Sequence, residues 1–471
     1  MKNFIKNLDT PNEYFYFSDK KNLIGDLACF MINSSCLFFD DFKPYIKLRT
    51  HYQYIPDTEI LISIIKHFIH PDKRYSIKTL DIKEVISRIQ DCPDIQIDFE
   101  SYYENNKYFI NLANGVYDIR NHTLLEHDIG YHFDYCLSFS YIKKKLRILD
   151  TYNYFIQSSI GEENEESFRI ALGYSLSSLY DVKKAILIIG PGNSAKSKIL
   201  DIIEKGIGTE YVRTNAFDKI GSEKAVASYA GGIRVNLSRD VCIGKIKEDA
   251  GFKSVISCEP INGRLLYKNE ISVTPRVHCI AASNSFPQFR NADDASLDRL
   301  AVIRISGYTG KPDPSFPSRL FKELDSICSE AVDTLDEFIK SNYNFKLSRQ
   351  SKELLKHEKA KLHTAESFIA EQFTFDSTGY ISSKELYESY CNWCEQNAFD
   401  PIGKNTFYDT VKLINAGIFY KKVPYGKGYV NGFWGIKNKC TNSSTCDNDC
   451  NKISNGTNTN QPIQSDIANA G

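Results

Sequence analysis

The chain has 471 residues, too many for one ordinary domain, so two to four are expected. Hydrophobic residues make up 42% and charged residues 25%, a globular balance that excludes a fibrous or wholly disordered chain. A net charge of −1 excludes a global field for nucleic acid, so any DNA contact must come from local basic patches.

Residues 1–150 mix helix and strand signals and read as an α+β N-terminal domain. Within them FINLANGVYDIRNHTLLEHD (109–128) alternates apolar positions around Asn114-Gly115, which predicts a β-hairpin region. The run KKKLR (143–147) marks a solvated boundary. Residues 152–182 carry Phe155, Ile156, Phe168, Ala171, Leu172, Leu176 and Leu179 at helical spacing.

From 183 to 306 the pattern changes to short apolar strands alternating with helices, which implies a largely parallel sheet. The strands are AILII (185–189), IRVNL (233–237), RVHCIAAS (276–283) and LAVIRIS (300–306). The first runs into Gly190, Pro191, Gly192, Asn193, Ser194, Ala195, Lys196 and Ser197, a strand, Gly-rich turn and helix start. Such a turn aims successive N–H groups at phosphate oxygens, and the helix dipole adds to the same point. Lys196 is the candidate for the β- and γ-phosphates and the Ser197 hydroxyl for Mg²⁺. The usual pattern has Gly where Ala195 stands, a mild change provided its φ is negative.

The strand IRVNLSRD ends in Asp240, a candidate for holding Mg²⁺ or polarising water, with Glu248 and Asp249 as possible acidic partners. IAASNSFPQF ends a strand in Asn284, placed to bond a γ-phosphate and its attacking water. DDASLDRLAVIRIS puts Arg299 just before a strand, where in a ring it can serve a neighbour's γ-phosphate. Between them INGRLLYKNEISV reads as a hairpin, with Arg264 on one arm and a turn presenting Lys268 and Asn269 to nucleic acid.

A long amphipathic helix then carries Leu320, Leu324, Ile327, Cys328, Ala331, Leu335, Phe338 and Ile339, and residues 349–364 read as a surface helix or linker. Residues 366–437 read as helix, helix, helix and hairpin, the order of a winged helix whose wing carries Lys421, Lys422 and Lys427. The tail from 438 is polar and expected to be disordered. The expected domains are therefore 1–150, 151–310, a helical lid at 311–365, 366–437, and the tail 438–471.

The thirteen Cys are scattered, as in a reducing compartment. Cys391 and Cys394 form a lone CxxC in a helical stretch, better explained by packing than by zinc, and the spacing of Cys440, Cys446 and Cys450 is irregular. No apolar stretch reaches 18 residues and MKNFIKNLDT has no signal-peptide pattern, so an intracellular chain without a membrane partner is expected.

Taken in order, these motifs resemble those of superfamily 3 helicases, closest to the poxvirus-type and phage or plasmid primase-helicases. GPGNSAKS resembles that branch's G-x-G-N-[ST]-G-K-S, AGGIRVNLSRD its strand ending in an acid, AASNSFPQF its sensor and DDASLDRLAVIRIS its arginine segment. FINLANGVYDIRNHTLLEHD is similar to the domain preceding these motors, and ELYESYCNWCEQNAFDPIGKNTFYDTV to their winged-helix region. The resemblance covers about residues 80–437. Ala195, the single acid at Asp240 and Ser306 in place of an aromatic depart from it.

The resemblance implies an α/β fold with an AAA+-like P-loop core, flanked by the N-terminal α+β domain and a winged helix. It implies an ATP- and Mg²⁺-dependent helicase moving 3′→5′ on single-stranded and forked DNA, assembled as a hexamer or similar ring. No Asp-x-Asp triad is seen, so priming would fall to a separate primase or polymerase. The alternative is a DNA-binding initiator that uses ATP only as an assembly switch. A small-molecule phosphotransferase is disfavoured by the basic hairpin and wing.

Overall fold

The computed structural model describes residues 13–192, 195–239, 246, 249–264, 270–287, 293–308, 310, 313–397 and 399–439. The chain divides into two compact units, Met1–Leu362 and His363–Gly471.

The first unit begins with a helical lobe. Helix Leu23–Asn33 packs on helix Thr79–Ile89 through Leu27, Met31, Val85 and Ile89, all buried. Helix Thr58–Phe68 joins them and is capped by Asp57, whose carboxylate accepts from Glu59 N at 2.7 Å. A small antiparallel sheet, β1 (Leu37–Asp40), β2 (Lys43–Lys47) and β3 (Tyr52–Tyr54), closes the lobe. Helix Phe99–Asn106 leads to a second antiparallel sheet of β4 (Phe109–Leu112), β5 (Gly115–Asp118) and β6 (Thr123–Leu125), the hairpin region expected from the sequence. At Gly115, φ is +150°, and a β-carbon would lie 2.4 Å from the Leu125 carbonyl, so only glycine fits.

The centre of the unit is a five-stranded parallel sheet in the order β13-β7-β12-β9-β8. Its strands are β7 (Ala185–Ile189), β8 (Val212–Arg213), β9 (Val235–Ser238), β12 (His278–Ser283) and β13 (Leu300–Arg304). Burial on both faces explains why β7 is apolar throughout and why β9, β12 and β13 are mostly so. Ile186 and Ile188 face one core with Ile199, Ile203 and Ile303, while Ala185, Leu187 and Ile189 face the other with Val226, Phe252 and Leu354. The fold is thus mixed α/β, with one parallel sheet and several antiparallel ones. A hairpin of β10 (Ile261–Arg264) and β11 (Glu270–Val273) lies against helix Glu223–Ser228, where a β-carbon on Gly263 would come within 2.5 Å of Ala227 N.

Two helical expectations need correction. Residues 152–182 are not one helix: Asp150–Phe155 passes into a π turn, Ile156–Ile160, then stops at Gly161 (φ +90°) before helix Glu165–Leu176. A β-carbon on Gly161 would lie 2.8 Å from Ser306 Oγ, so the small side chain at 306 belongs to a close approach of two segments of the chain. The long helix after 311 is three shorter ones, Phe316–Lys322, Leu324–Asp333 and Leu335–Lys340. It breaks at Glu323 because that buried carboxylate accepts from Thr151 N and Tyr152 N, both at 2.9 Å, capping another helix. A tertiary bond overrides the local periodicity.

Helix Leu324–Asp333 is tied to the 109–147 region by a buried ion network. Arg147, its side chain 2% exposed, donates to Glu330 at 2.7 Å and Asp333 at 2.6 Å, and Tyr141 donates to Asp333 at 3.1 Å. Helix Arg349–Leu362 then runs along β13.

The second unit holds helices Thr364–Gln372, Ser383–Gln396 and Lys404–Ile414 and an antiparallel sheet in the order β14-β16-β15. The three helices and the hairpin of β15 (Phe419–Tyr425) and β16 (Gly428–Asn438) follow the sequence reading. Strand β14 (Phe373–Ser382) is an addition between the first two helices. Its pairing with β16 shifts register between Asp376 and Tyr380, which breaks the alternation that would have announced a strand. Cys394 sits in the core of this unit, where burial pushes its thiol up; Cys391 packs at the core's edge. Residues 440–471, with the expected disordered tail, lie outside the described residues.

Candidate nucleotide and nucleic-acid site

The Gly-rich turn leaves the C-terminal end of β7, a strand flanked by β12 and β13 although neither adjoins it in sequence. A connection runs to one side of β7 through β8, β9 and β12 and then crosses to β13 on the other. Such a reversal opens a crevice at the strand ends, where open α/β sheets bind ligands. Gly190 N donates to Ser283 O at 3.2 Å, extending the β7–β12 ladder into the loop. That register brings the loop beside Asn284, the first residue beyond β12.

Lys196 opens helix Lys196–Ile207. Its ammonium donates to Asn284 Oδ1 at 2.8 Å and to the carbonyls of Gly190 and Pro191 at 2.8 and 2.7 Å. Ser197 is exposed in the first helical turn, and among the described residues nothing lies within 4 Å of a β-carbon placed on Gly192. Lys198 N is taken by Ala195 O at 2.9 Å, and the positive end of the helix dipole lies at this same point. Ala195 has φ +66° and ψ 6°, so the condition placed on it by the sequence reading is not met. The loop keeps the left-handed turn that glycine would make, with a β-carbon in it.

Asn193, Ser194, Asp240 and Glu248 lie outside the described residues, and of Asp249 only its place in helix Asp249–Ile256 is given. The residue before Asp240 is informative. Arg239 pairs with Asp201 at 2.7 Å and with Glu204, both on the helix that Lys196 begins. The end of β9 is therefore fastened to the flank of the loop's helix.

Arg299 lies at the opposite edge of the sheet. Its carbonyl accepts from Ala185 N at the start of β7, and its guanidinium donates to Ser257 Oγ at 3.1 Å and Ala295 O at 2.8 Å. The five residues of β7 separate it from the loop, roughly 16 Å at about 3.3 Å per residue. The two are not brought together within one copy. Arg264 pairs in register with Glu270 at the turn end of the β10–β11 hairpin, whose turn, with Lys268 and Asn269, lies outside the described residues.

In the second unit Lys421, Lys422 and Lys427 sit on the β15–β16 hairpin, which turns through Gly426-Lys427 with Gly426 at φ +58°. The sequence reading named the cations and missed the rings beside them. Phe419, Tyr420, Tyr425 and Tyr429 are exposed large side chains on the same hairpin, and Lys421 Nζ lies 5.2 Å from the Trp434 ring centre. The signal was present in FYKKVPYGKGYVNGFW as aromatics interleaved with lysines, the pairing that holds single strands.

Residues 53–165 match a family model described as D5 N terminal like. This stretch contains the FINLANGVYDIRNHTLLEHD segment. No curated protein matches the chain. Among solved structures, an apo structure of the NrS-1 C terminal region is similar over 89% of this chain and 100% of that one, with 11% identity and a TM-score of 0.51. An A form apo structure of the same region covers 84% and 86% at 11% identity and a TM-score of 0.46. At such identity the likeness concerns the fold. Among the described residues no helix is long and apolar enough to cross a membrane.

Proposed function

We propose that this chain is an ATP-driven DNA helicase acting in replication of a virus, phage, plasmid or other mobile element. The observation that carries this reading is the Lys196–Asn284 contact at the switch point of the parallel sheet. It joins two motifs 88 residues apart at one strand end, as a phosphate loop and its sensor require. The match of residues 53–165 to the D5 N terminal like model supports the replication context.

The residues fit a nucleoside triphosphate with Mg²⁺. Residues 190–197 would cradle the phosphates, Lys196 exchanging loop carbonyls for phosphate oxygens, and Ser197 with Asp240 would hold the metal. Mg²⁺ would neutralise charge developing on the transferred phosphoryl group. Asn284 then orients the attacking water. Arg299 is far from its own loop, which favours a ring in which it serves the adjacent copy. The β10–β11 hairpin, through Arg264, Lys268 and Asn269, would grip one strand, with Lys421, Lys422 and Lys427 holding DNA on the second unit. Movement 3′→5′ follows from the resemblance to superfamily 3.

The test is forked-DNA unwinding and ATP hydrolysis by Lys196→Ala. Loss of both with retained secondary structure is expected; full residual unwinding would overturn the assignment. The strained Ala195 favours a second reading, an initiator that uses ATP as an assembly switch. Repeated turnover on single-stranded DNA would reject it, since a switch hydrolyses about once per assembly.

A further inference from the structure

A second cavity lies at the other end of the parallel sheet. It measures about 350 Å³ and is lined by residues that precede the strands: Ser178 and Tyr180 before β7, Arg234 before β9, and Thr274 and Arg276 before β12. Its other wall comes from the helical lobe and the 99–135 segment, within the same compact unit. The six residues of β12 separate it from Asn284, roughly 20 Å at about 3.3 Å per residue. It is therefore not part of the phosphate-loop crevice.

Its lining sets opposite charges side by side: Arg276 is ion-paired with Glu100, and Asp134 lies within the field of both Arg234 and Arg276. Arg234 is 6% exposed, its guanidinium stacked 3.7 Å from the Tyr135 ring centre. It donates to Ser177 O at 2.8 Å and Ser178 Oγ at 3.0 Å, but among the described residues no carboxylate forms an ion pair with it. Arg234 is thus held by neutral acceptors and aromatic faces, while Asp134 acts on it through its field without a direct ion pair. Asp134, also in the lining, retains accessible surface although protein encloses it. Burial raises its carboxyl above the usual range, against the pull of Arg234 and Arg276.

Flat surface is also provided. Tyr102 stacks on His132 with centres 3.9 Å apart and 14° between planes, and His132 stacks on Tyr52 at 5.6 Å and 6°. The outer ring of this ladder, Tyr102, lines the cavity. A free phosphate is disfavoured by the carboxylates of Asp40, Asp41, Glu100 and Asp134 in the same wall. No described group of His, Cys, Asp and Glu is arranged to hold a metal ion. What remains is a flat ligand whose edge offers donors and acceptors together.

We propose that this cavity is a nucleobase-binding site separate from the phosphate loop, taking a base of a nucleic-acid strand or a free nucleoside. The size is within the range of small-ligand pockets. A base stacks on Tyr102, gives its exocyclic amine to the Asp134 carboxylate, and accepts from a guanidinium at a ring nitrogen or carbonyl, the pairings by which proteins read base edges.

The test uses phosphate-free nucleosides and the full chain, with binding followed by calorimetry. Adenosine, guanosine, cytidine and uridine are titrated against the parent, Asp134→Asn and Tyr102→Leu, alongside an oligonucleotide and an abasic strand of equal length. Tyr102→Leu should weaken every base by about fivefold or more. Asp134→Asn should weaken the three amine-bearing bases by more than uridine, a selectivity that general loosening of the fold would not give. Binding of free nucleosides assigns the site to them. Binding of the oligonucleotide alone, lost in the abasic strand and weakened by the variants, assigns it to a strand base. No base-dependent binding, or binding unchanged by both variants, overturns the proposal. Lys196→Ala should leave these nucleoside and base affinities intact, which separates this site from the ATPase reading.

Discussion

Replacing Ala195 by glycine removes one β-carbon from a residue held at φ +66°, at the point where the Gly-rich turn becomes helix Lys196–Ile207. An L-residue in the left-handed region costs about 1–2 kcal/mol, because its β-carbon crowds the following carbonyl. Glycine gives back about 0.4–1 kcal/mol through the greater freedom of its unfolded chain. The difference favours glycine by about 0.5–1 kcal/mol, so Ala195→Gly should stabilise the protein. Urea unfolding is the better assay, since for a large unit the same free energy moves the melting temperature by only about 1–3 °C. Ala216 supplies the control: it is exposed, with φ −61° and ψ 141°, where a β-carbon costs nothing. Ala216→Gly should therefore destabilise, by about 0.4–1 kcal/mol. Opposite signs for the two substitutions are expected. If Ala195→Gly destabilises as much as Ala216→Gly, the left-handed loop is wrong and the strain argument falls with it.

Mixing Arg299→Ala with Lys196→Ala should restore part of the ATPase that each lacks alone, because a mixed ring contains interfaces with both groups intact; a mixture that stays inactive removes the case for a shared site. Tyr425→Ala and Tyr429→Ala should each weaken single-strand binding by about 1–3 kcal/mol in a fluorescence titration if bases stack there, and unchanged affinity would reduce the wing to its lysines. Arg147→Met leaves Asp333 without its arginine and Glu330 with Arg169 alone, and should cost about 3 kcal/mol in denaturant unfolding, the lower end for a buried pair because both acids are partly exposed; a cost below about 1 kcal/mol would show the network to be dispensable. His278 is buried between Tyr174 and Tyr180, and burial lowers its pKa to about 3; His51 is lowered to about 4. Both are neutral when folded and take a proton near pH 6.5 when unfolded, so their contribution is full above that pH and declines as pH falls towards the folded values. Each should add a slope of about 1.4 kcal/mol per pH unit between about pH 6 and pH 4.5. His278→Gln should lower that slope by about one group's share, and an unchanged slope would place the proton elsewhere.

What the sequence made legible, and what it did not, follows the range of the interactions involved. The parallel strands were readable because each is buried on both faces and so mostly apolar over four to six consecutive residues, completely so in β7 and broken by Asn236 and Ser238 in β9. The Gly-rich turn after β7 is equally local. Asn284 could be named because it follows a strand, although only the β7–β12 register places it against Lys196. Interactions between distant segments left no local trace. Glu323 sits at helical spacing and breaks the helix to cap residues 151 and 152, and strand β14 hides behind its own register shift. Ala195 shows the limit from the other side, since composition says only that a methyl replaces a hydrogen and the backbone angle decides its cost.

The base-site cavity is the extreme case. Asp134, Arg234 and Tyr102 come from segments with no shared periodicity or motif, and each alone reads as an ordinary polar or aromatic residue. They acquire meaning only because β9 and β12 begin at one edge of the sheet and the 99–135 segment folds over that edge. A parallel sheet has two ends. The crevice at the C-terminal end follows from the strand order, whereas a site at the N-terminal end must be built by whatever packs there. In this chain that builder includes residues 99–135, within the stretch that matches the D5 N terminal like model. A ligand at that edge would contact the leading ends of strands whose trailing ends meet Lys196 and Asn284, so the sheet itself connects the two sites.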